Sequence, residues 1–375
     1  MSIPAFQADC ARQLTSLIEK ASAFTAFIGL DGFVDEIIHP VDKRENAREF
    51  TRLPTIGSFA ERIASAAGKS TNIEIVNRRT KLGGNGPIMA HALATLGLKI
   101  TYVGALGYPH LHPVFEPFAR RADVHSIAES GHTDAVEFLD GKVMLVKSVS
   151  LKDITWENID QRFGRARFID HFSRSDLTAF VNWTMIPYMT EIWEALLKDV
   201  CPKLTGPRRK MFFDLADPAK RPEDDIARAL ELISSFENHF DTILGVNEKE
   251  CHEIAKPLGL EAKSDSPEQL SELARRIHAK LRINTLVVHP VTYALAVSNN
   301  KVDLVHGPVI TQPTITTGAG DHFNSGFCLG KLLGLDNALS LLCGVTTSGY
   351  YVKTGQSPEI KDLAALMCDW PSGGE

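Results

Sequence analysis

The chain has 375 residues, with 40 Lys+Arg against 46 Asp+Glu and a formal net charge of −6. At 44% hydrophobic and 23% charged it carries the apolar material for a large core, which excludes a disordered or fibrous protein. Mild acidity, relieved only by short basic clusters such as Arg78-Arg79, argues against a polyanion and hence against nucleic acid as a partner.

Taken in chain order, the first 25 residues carry Asp9, Arg12, Glu19 and Lys20, which interrupt any apolar leader, and no later apolar run approaches the ~20 residues of a membrane span. The six cysteines are scattered without a CxxC pair, which suits a reducing compartment. A cytoplasmic protein without a membrane partner is therefore expected. The first predicted strand, Phe24 to Leu30, is followed by Asp31 and Asp35. Ligands of open α/β sheets gather beyond the carboxyl ends of strands, so both acids are placed to bind hydroxyls, with capping of a turn as the competing explanation. Gly68-Lys69-Ser70 copies the end of a P-loop, but Ile63 stands where that motif needs glycine, so a helix stop is predicted.

The run Leu82-Gly83-Gly84-Asn85-Gly86-Pro87 reads as a loop feeding a helix, with Pro87 at its first position and Gly97 past its end. Gly83, Gly84 and Asn85 would let backbone and amide approach a polyhydroxyl ligand, although a tight turn explains them equally well. A strand is predicted at Lys99 to Val103, and His110-Leu111-His112 reads as a surface loop. Asp140-Gly141 sits between two extended runs from Ala135 to Val149 and predicts a hairpin projecting from the α/β body as a lid. Further strands are predicted at Lys210 to Asp214, Thr242 to Val246 and Thr285 to His289, with helical patterns between them. Such alternation predicts a mostly parallel sheet covered by helices.

Asn247 and Glu250 follow the strand ending at Val246 and share one helical face, an oxygen pair that suits hydrated Mg²⁺. A solvated helix start is the alternative. No HExxH or GxSxG motif occurs, so the zincin and α/β-hydrolase readings lose support. The most informative segment is TTGAGDHFNSGF, Thr316 to Phe327. Its Gly-Ala-Gly loop opens onto a helix predicted from Asp321 to Leu333, with Gly334 as its stop. Small residues, free N–H groups and the helix dipole favour an anion there, above all a phosphate. A carboxylate beside that anion needs another task, and accepting the proton of an attacking hydroxyl is one; merely capping the helix is the other explanation. No linker, repeat or low-complexity tract divides the chain, so residues 1–375 are expected to form one domain, and the tail PSGGE carries no assignable function.

In order and spacing these segments resemble the ribokinase family, also called the PfkB carbohydrate kinases, across roughly residues 24 to 360. TTGAGDHFNSGF resembles its C-terminal signature, LGGNGPIMAHALATLG its N-terminal glycine signature, and Asn247 with Glu250 its NxxE motif. The resemblance implies a three-layer α/β/α sandwich with a mostly parallel central sheet and a small β-strand lid, here at about 31–45 and 130–150. It implies a kinase that uses ATP and Mg²⁺ to phosphorylate a hydroxyl, primary by preference, of a sugar or sugar-like molecule. It makes Asp321 the base and Gly318, Ala319 and Gly320 the anion hole. Asn247 and Glu250 fall to Mg²⁺, Thr317, Asn324 and Asn247 to the nucleotide, and Asp31, Asp35, Gly83, Gly84 and Asn85 to the acceptor. A monovalent cation and a homodimer joined through the lid are both compatible with it.

The chain departs from the family pattern at Ile88, where Asn is usual, at Ile315, and at Gly107 to Leu111, which lacks GxDxxG. His289-Pro290-Val291-Thr292-Tyr293 replaces the nucleotide-side TxGxxG. These changes touch specificity more than the phosphoryl-transfer centre. Two alternatives stay open: a nucleoside kinase with Phe33 and Phe138 as stacking partners for a base, and a non-catalytic sugar- or nucleotide-binding regulatory module. Retention of Asp321, the glycine loop and Asn247 with Glu250 weighs for the enzyme.

Overall fold

Successive residues of a strand face opposite sides of a sheet, and here both sides are apolar. In strand β10 (Arg209–Asp214), Met211 and Phe213 enter one core and Phe212 the other; in β12 (Thr285–Val288), Leu286 and Val288 oppose Val287 in the same way. A sheet buried on both faces gives continuous apolar runs rather than alternation, which is why these strands are legible in the sequence. The computed structural model describes residues 3–261 and 266–370. The central sheet also contains β1 (Thr25–Leu30), β5 (Lys99–Gly104), β6 (Asp123–Ser126), β9 (Leu177–Val181), β11 (Phe240–Val246), β13 (Tyr293–Ser298) and β14 (Lys301–His306). Its order is β14-β13-β12-β11-β10-β9-β1-β5-β6, parallel from β12 to β6.

One core receives helices such as Arg165–Arg174, Glu223–Phe236 and Pro267–Leu281 through Phe168, Ile233 and Ile277. The opposite core receives Ile3–Ser16, Asn85–Thr95, Ala319–Leu333, Asn337–Thr354 and Ile360–Cys368. The result is a three-layer α/β/α sandwich. All five predicted strands are present with ends shifted by at most two residues, while β6 and β9 were not predicted: β6, DVHS, has no apolar run to mark it, and the short run of β9, LTAFV, is broken by Thr178. The antiparallel edge β13–β14 was also missed, although its signal was printed in the chain: Asn299 and Asn300 both adopt positive φ, as a two-residue type I′ hairpin requires.

Helices Ala319–Leu333 and Asn337–Thr354 approach closely because of the glycines spaced four apart. A Cβ on Gly326 would lie 2.5 Å from the Cys343 carbonyl oxygen, and one on Gly330 would lie 2.7 Å from Ser340 Cα. Backbone cannot yield as a flexible side chain does. Gly326→Ala is thus expected to cost about 1–3 kcal/mol by overpacking, read as a lower urea midpoint at unchanged slope.

The predicted lid is a five-stranded second sheet larger than anticipated. It comprises β2 (Phe33–Arg44), β3 (Phe50–Arg52), β4 (Ile75–Gly83), β7 (Gly131–Glu137) and β8 (Lys142–Lys147). Strands β3 and β4 lie outside the expected segments; β4, IVNRRTKLG, is largely exposed and polar, so no apolar pattern marked it. β7 and β8 form the predicted hairpin, but through the four residues Phe138 to Gly141 rather than a two-residue turn. Asp140 spends its carboxylate on the Ile56 N–H, 3.0 Å away, tying the hairpin to the helix Ile56–Ala64. Gly68-Lys69-Ser70 lies in exposed turns after that helix. Among the described residues no helix is long and apolar enough to cross a membrane, and the cysteines are free thiols, all buried except Cys368. The tail PSGGE lies outside the described residues.

Candidate active site

The carboxyl ends of the parallel strands and the second sheet enclose a cleft of about 360 Å³. Asp321 lines it. The helix Ala319–Leu333 begins after Gly318, whose φ of +94° favours glycine, and its first N–H groups have no helical acceptor. Thr317, Gly318, Gly320 and Asp321 all line the cleft, whereas Ala319 does not. The Asp321 carboxylate does not close back on the helix: Asn85 Nδ2 donates to its Oδ1 at 2.9 Å. Burial, followed by the nearby Asp214, pushes its carboxyl well above the usual range. A raised pKa makes a carboxylate a stronger proton acceptor once ionised.

Asn85 is held by the preceding loop. The helix Asn85–Thr95 starts two residues earlier than predicted, so Pro87 is its third residue, where a missing N–H costs nothing. Asp31 caps this helix from the end of β1: its carboxylate accepts the Asn85 N–H at 3.0 Å, the Gly86 N–H at 2.8 Å and Asn182 Nδ2 at 2.7 Å. Asp31 is fully buried and lies beneath the cleft rather than on its wall, and burial raises its carboxyl to about 6. Of the two explanations for Asp31, the structure places it in the cap.

Asp35 does reach the cleft, from β2, beside Thr133 of β7 by register and 3.5 Å from Lys81 Nζ of β4. Gly83 makes its room, since a Cβ there would come within 2.5 Å of Asp35 Oδ2, and Gly84, with φ of +93°, turns the chain into the helix. Phe33, Met144 and Val146 supply the apolar part of this wall. Phe138 does not join them; it packs on Phe59 in the small core of the second sheet with ring centroids 5.4 Å apart.

Opposite stand Asp214, at the end of β10, and Glu250. Asn247 and Glu250 form a reciprocal capping box: Asn247 Oδ1 accepts the Glu250 N–H, and Glu250 Oε2 accepts the Asn247 N–H, each at 2.9 Å. Glu250 Oε1 takes the Asp217 N–H at 2.8 Å, so the pair is a helix start as its alternative had it, but with Glu250 buried rather than solvated. Asn324 lies beneath the wall, 1% exposed, and donates to Asp214 Oδ2 at 2.9 Å. Burial and then the Glu250 charge push Asp214 up to about 8. Two buried acids facing one cavity suit a cation.

Sequence reading missed Asp214 and Asn182, and marked His289 only as part of the stretch that replaces TxGxxG. Asp214 was visible as the last residue of a predicted strand, the position where ligands gather in such sheets. Asn182 follows the unpredicted β9, adopts φ of +60° and lines the cleft. His289, one residue past β12, is kept neutral by burial, which lowers it to about 4; a Cβ on Gly320 would lie 3.2 Å from its ring.

A mostly parallel sheet with a second sheet across the carboxyl ends of its strands defines a ribokinase-type fold. Solved structures share the fold: a probable sugar kinase from Rhizobium etli (TM-score 0.64, 18% identity, 92% of this chain and 97% of that one) and Arabidopsis thaliana ribokinase complexed with ribose and ATP (TM-score 0.60, 16%, 92% and 98%). Ketohexokinase of Haloferax volcanii is 29% identical over 361 residues, 96% of this chain and 94% of the relative. The sequence profile of the prokaryotic ketohexokinases matches residues 4–370, and the chain belongs to that family. It is accordingly a phosphotransferase with an alcohol group as acceptor.

Proposed function

We propose that the protein transfers the γ-phosphate of ATP to a primary hydroxyl of a ketohexose, with Asp321 as general base. The observation that carries this reading is Asp321 itself: buried, aimed by Asn85, and set at a glycine-capped helix start where the Ala319 N–H is taken by the Thr316 carbonyl at 3.2 Å, leaving Gly320 and Asp321 as the amides offered to an anion. The acceptor hydroxyl is oriented by Asp321 and attacks the γ-phosphorus as the bond to the β,γ-bridging oxygen breaks. Its proton passes to Asp321, and ADP leaves. The amides of Gly320 and Asp321 meet charge developing on the transferred group. Asp35 and Asn85 face the sugar; Thr317, Asn247 and His289 face the nucleotide.

Mg²⁺ fits the acid pair, because burial and the neighbouring Glu250 both disfavour the charged form of Asp214 and a cation would offset that cost. Asp214 and Glu250 would hold it, directly or through water, with Asn247 oriented beside them. When bound it neutralises phosphate charge. With Phe138 withdrawn from the cleft, Phe33 alone remains of the two stacking partners expected for a nucleoside acceptor, which supports a sugar over a nucleoside.

The test is ADP release from Mg²⁺-ATP with ketohexoses, aldohexoses, pentoses and nucleosides, with Asp321→Asn in parallel. Turnover with ketohexoses that vanishes in the variant supports the reading; preference for another class, or full activity in the variant, sinks it. Gly83→Ala probes the acceptor wall. The added methyl collides with the Asp35 carboxyl, so the sugar KM is expected to rise about tenfold, one lost charge-assisted contact, while the ATP KM stays put.

A further inference from the structure

A second cavity, of about 540 Å³, lies on the other side of Ile88, which lines both spaces. It is larger than the catalytic cleft. Arg79 and Lys81 of β4 and Arg121 line it, with no Asp or Glu, in a chain whose net charge is −6. Lys81 approaches Asp35, but neither Arg79 nor Arg121 has an ion-pair partner among the described residues. Leu82 and Phe118 add an apolar wall. Planar guanidinium forks without an ion-pair partner suit bidentate contact with the oxygens of a phosphate, and the volume and apolar wall call for an organic moiety attached to it.

The same cavity touches the back of the catalytic loop. His322, 2% exposed, shares hydrogen bonds with the Gly318 carbonyl at 2.7 Å and with Ser357 Oγ at 2.9 Å, and Ser357 lies 3.4 Å from His91 Nδ1. Tyr351 stacks on His322, centroids 3.6 Å apart, and its hydroxyl donates to the Thr317 carbonyl at 3.0 Å. Both carbonyls of the loop are therefore held by side chains that line the second cavity. We propose that this cavity binds a small organic phosphate and passes its occupancy to the Thr317–Gly318 loop through His322 and Tyr351. Only the transmission rests on the catalytic reading of that loop; the binding does not.

Calorimetry with ribose 5-phosphate and with inorganic phosphate tests the binding, on the unaltered chain, on Asp321→Asn and on Arg79→Ser/Arg121→Ser, two exposed positions whose replacement should leave the melting temperature unchanged. Ribose 5-phosphate is expected to bind the first two alike and the double variant about tenfold or more weakly. No heat with the unaltered chain, or undiminished affinity in the double variant, overturns the site. Inorganic phosphate binding equally well overturns the organic part of the assignment. For transmission, ribose 5-phosphate is expected to shift kcat or the ATP KM about fivefold in the unaltered chain and not in His322→Gln, which still binds it. Binding that moves neither constant overturns the coupling. If no sugar is phosphorylated at all, the kinase reading fails while calorimetry still decides the site.

Discussion

Asp321→Asn is expected to lower kcat by about 10²–10⁴-fold, the usual worth of a positioned general base, while KM for sugar and ATP change little. The amide keeps an oxygen for Asn85 Nδ2, so the 2.9 Å contact and the helix start survive. Only proton acceptance is lost. The direction of the pH profile follows from the same environment. Burial and Asp214 raise the Asp321 carboxyl, and a base acts only when ionised, so activity falls as pH drops through that raised value, above the ordinary carboxylate range. This acidic limb should be missing from the residual activity of Asp321→Asn. A variant with full kcat, or one that keeps the limb, would remove Asp321 from the proton transfer.

Asp31→Ala is expected to act quite differently. It strips the acceptor from the N–H groups of Asn85 and Gly86 and from Asn182 Nδ2 in a fully buried place. Each donor left without a partner costs about 1–3 kcal/mol, so the melting temperature should fall by many degrees. Catalysis should fall as well, because Asp31 sets the backbone of Asn85, and Asn85 sets Asp321. The expected signature is lower stability and lower kcat together, with a lesser change in sugar KM. Were Asp31 a direct sugar ligand, stability would hold and KM would rise alone. Thermal denaturation alongside steady-state kinetics separates the two.

These expectations show where sequence reading reaches its limit. The chain by itself determined the parallel sheet, because strands buried on both faces must be apolar at every position, as in Phe212-Phe213 and Leu286-Val287-Val288. It also determined the helix start at Gly318 to Asp321, because a glycine loop before a periodic apolar run leaves few conformations open. Both signals are local. What tertiary structure decided is which acids share a space. Asp31 and Asp35 stand four residues apart and look alike in the sequence, yet the turn after β1 sends one under the helix Asn85–Thr95 and the pleat of β2 sends the other into the cleft. Asn324 and Asp214 meet across 110 residues, and Asn85 and Asp321 across 236, so no spacing rule could pair them. Burial, the quantity that raises Asp214 and Asp321 and lowers His289, is set by everything packed around a residue and is not written in its neighbours.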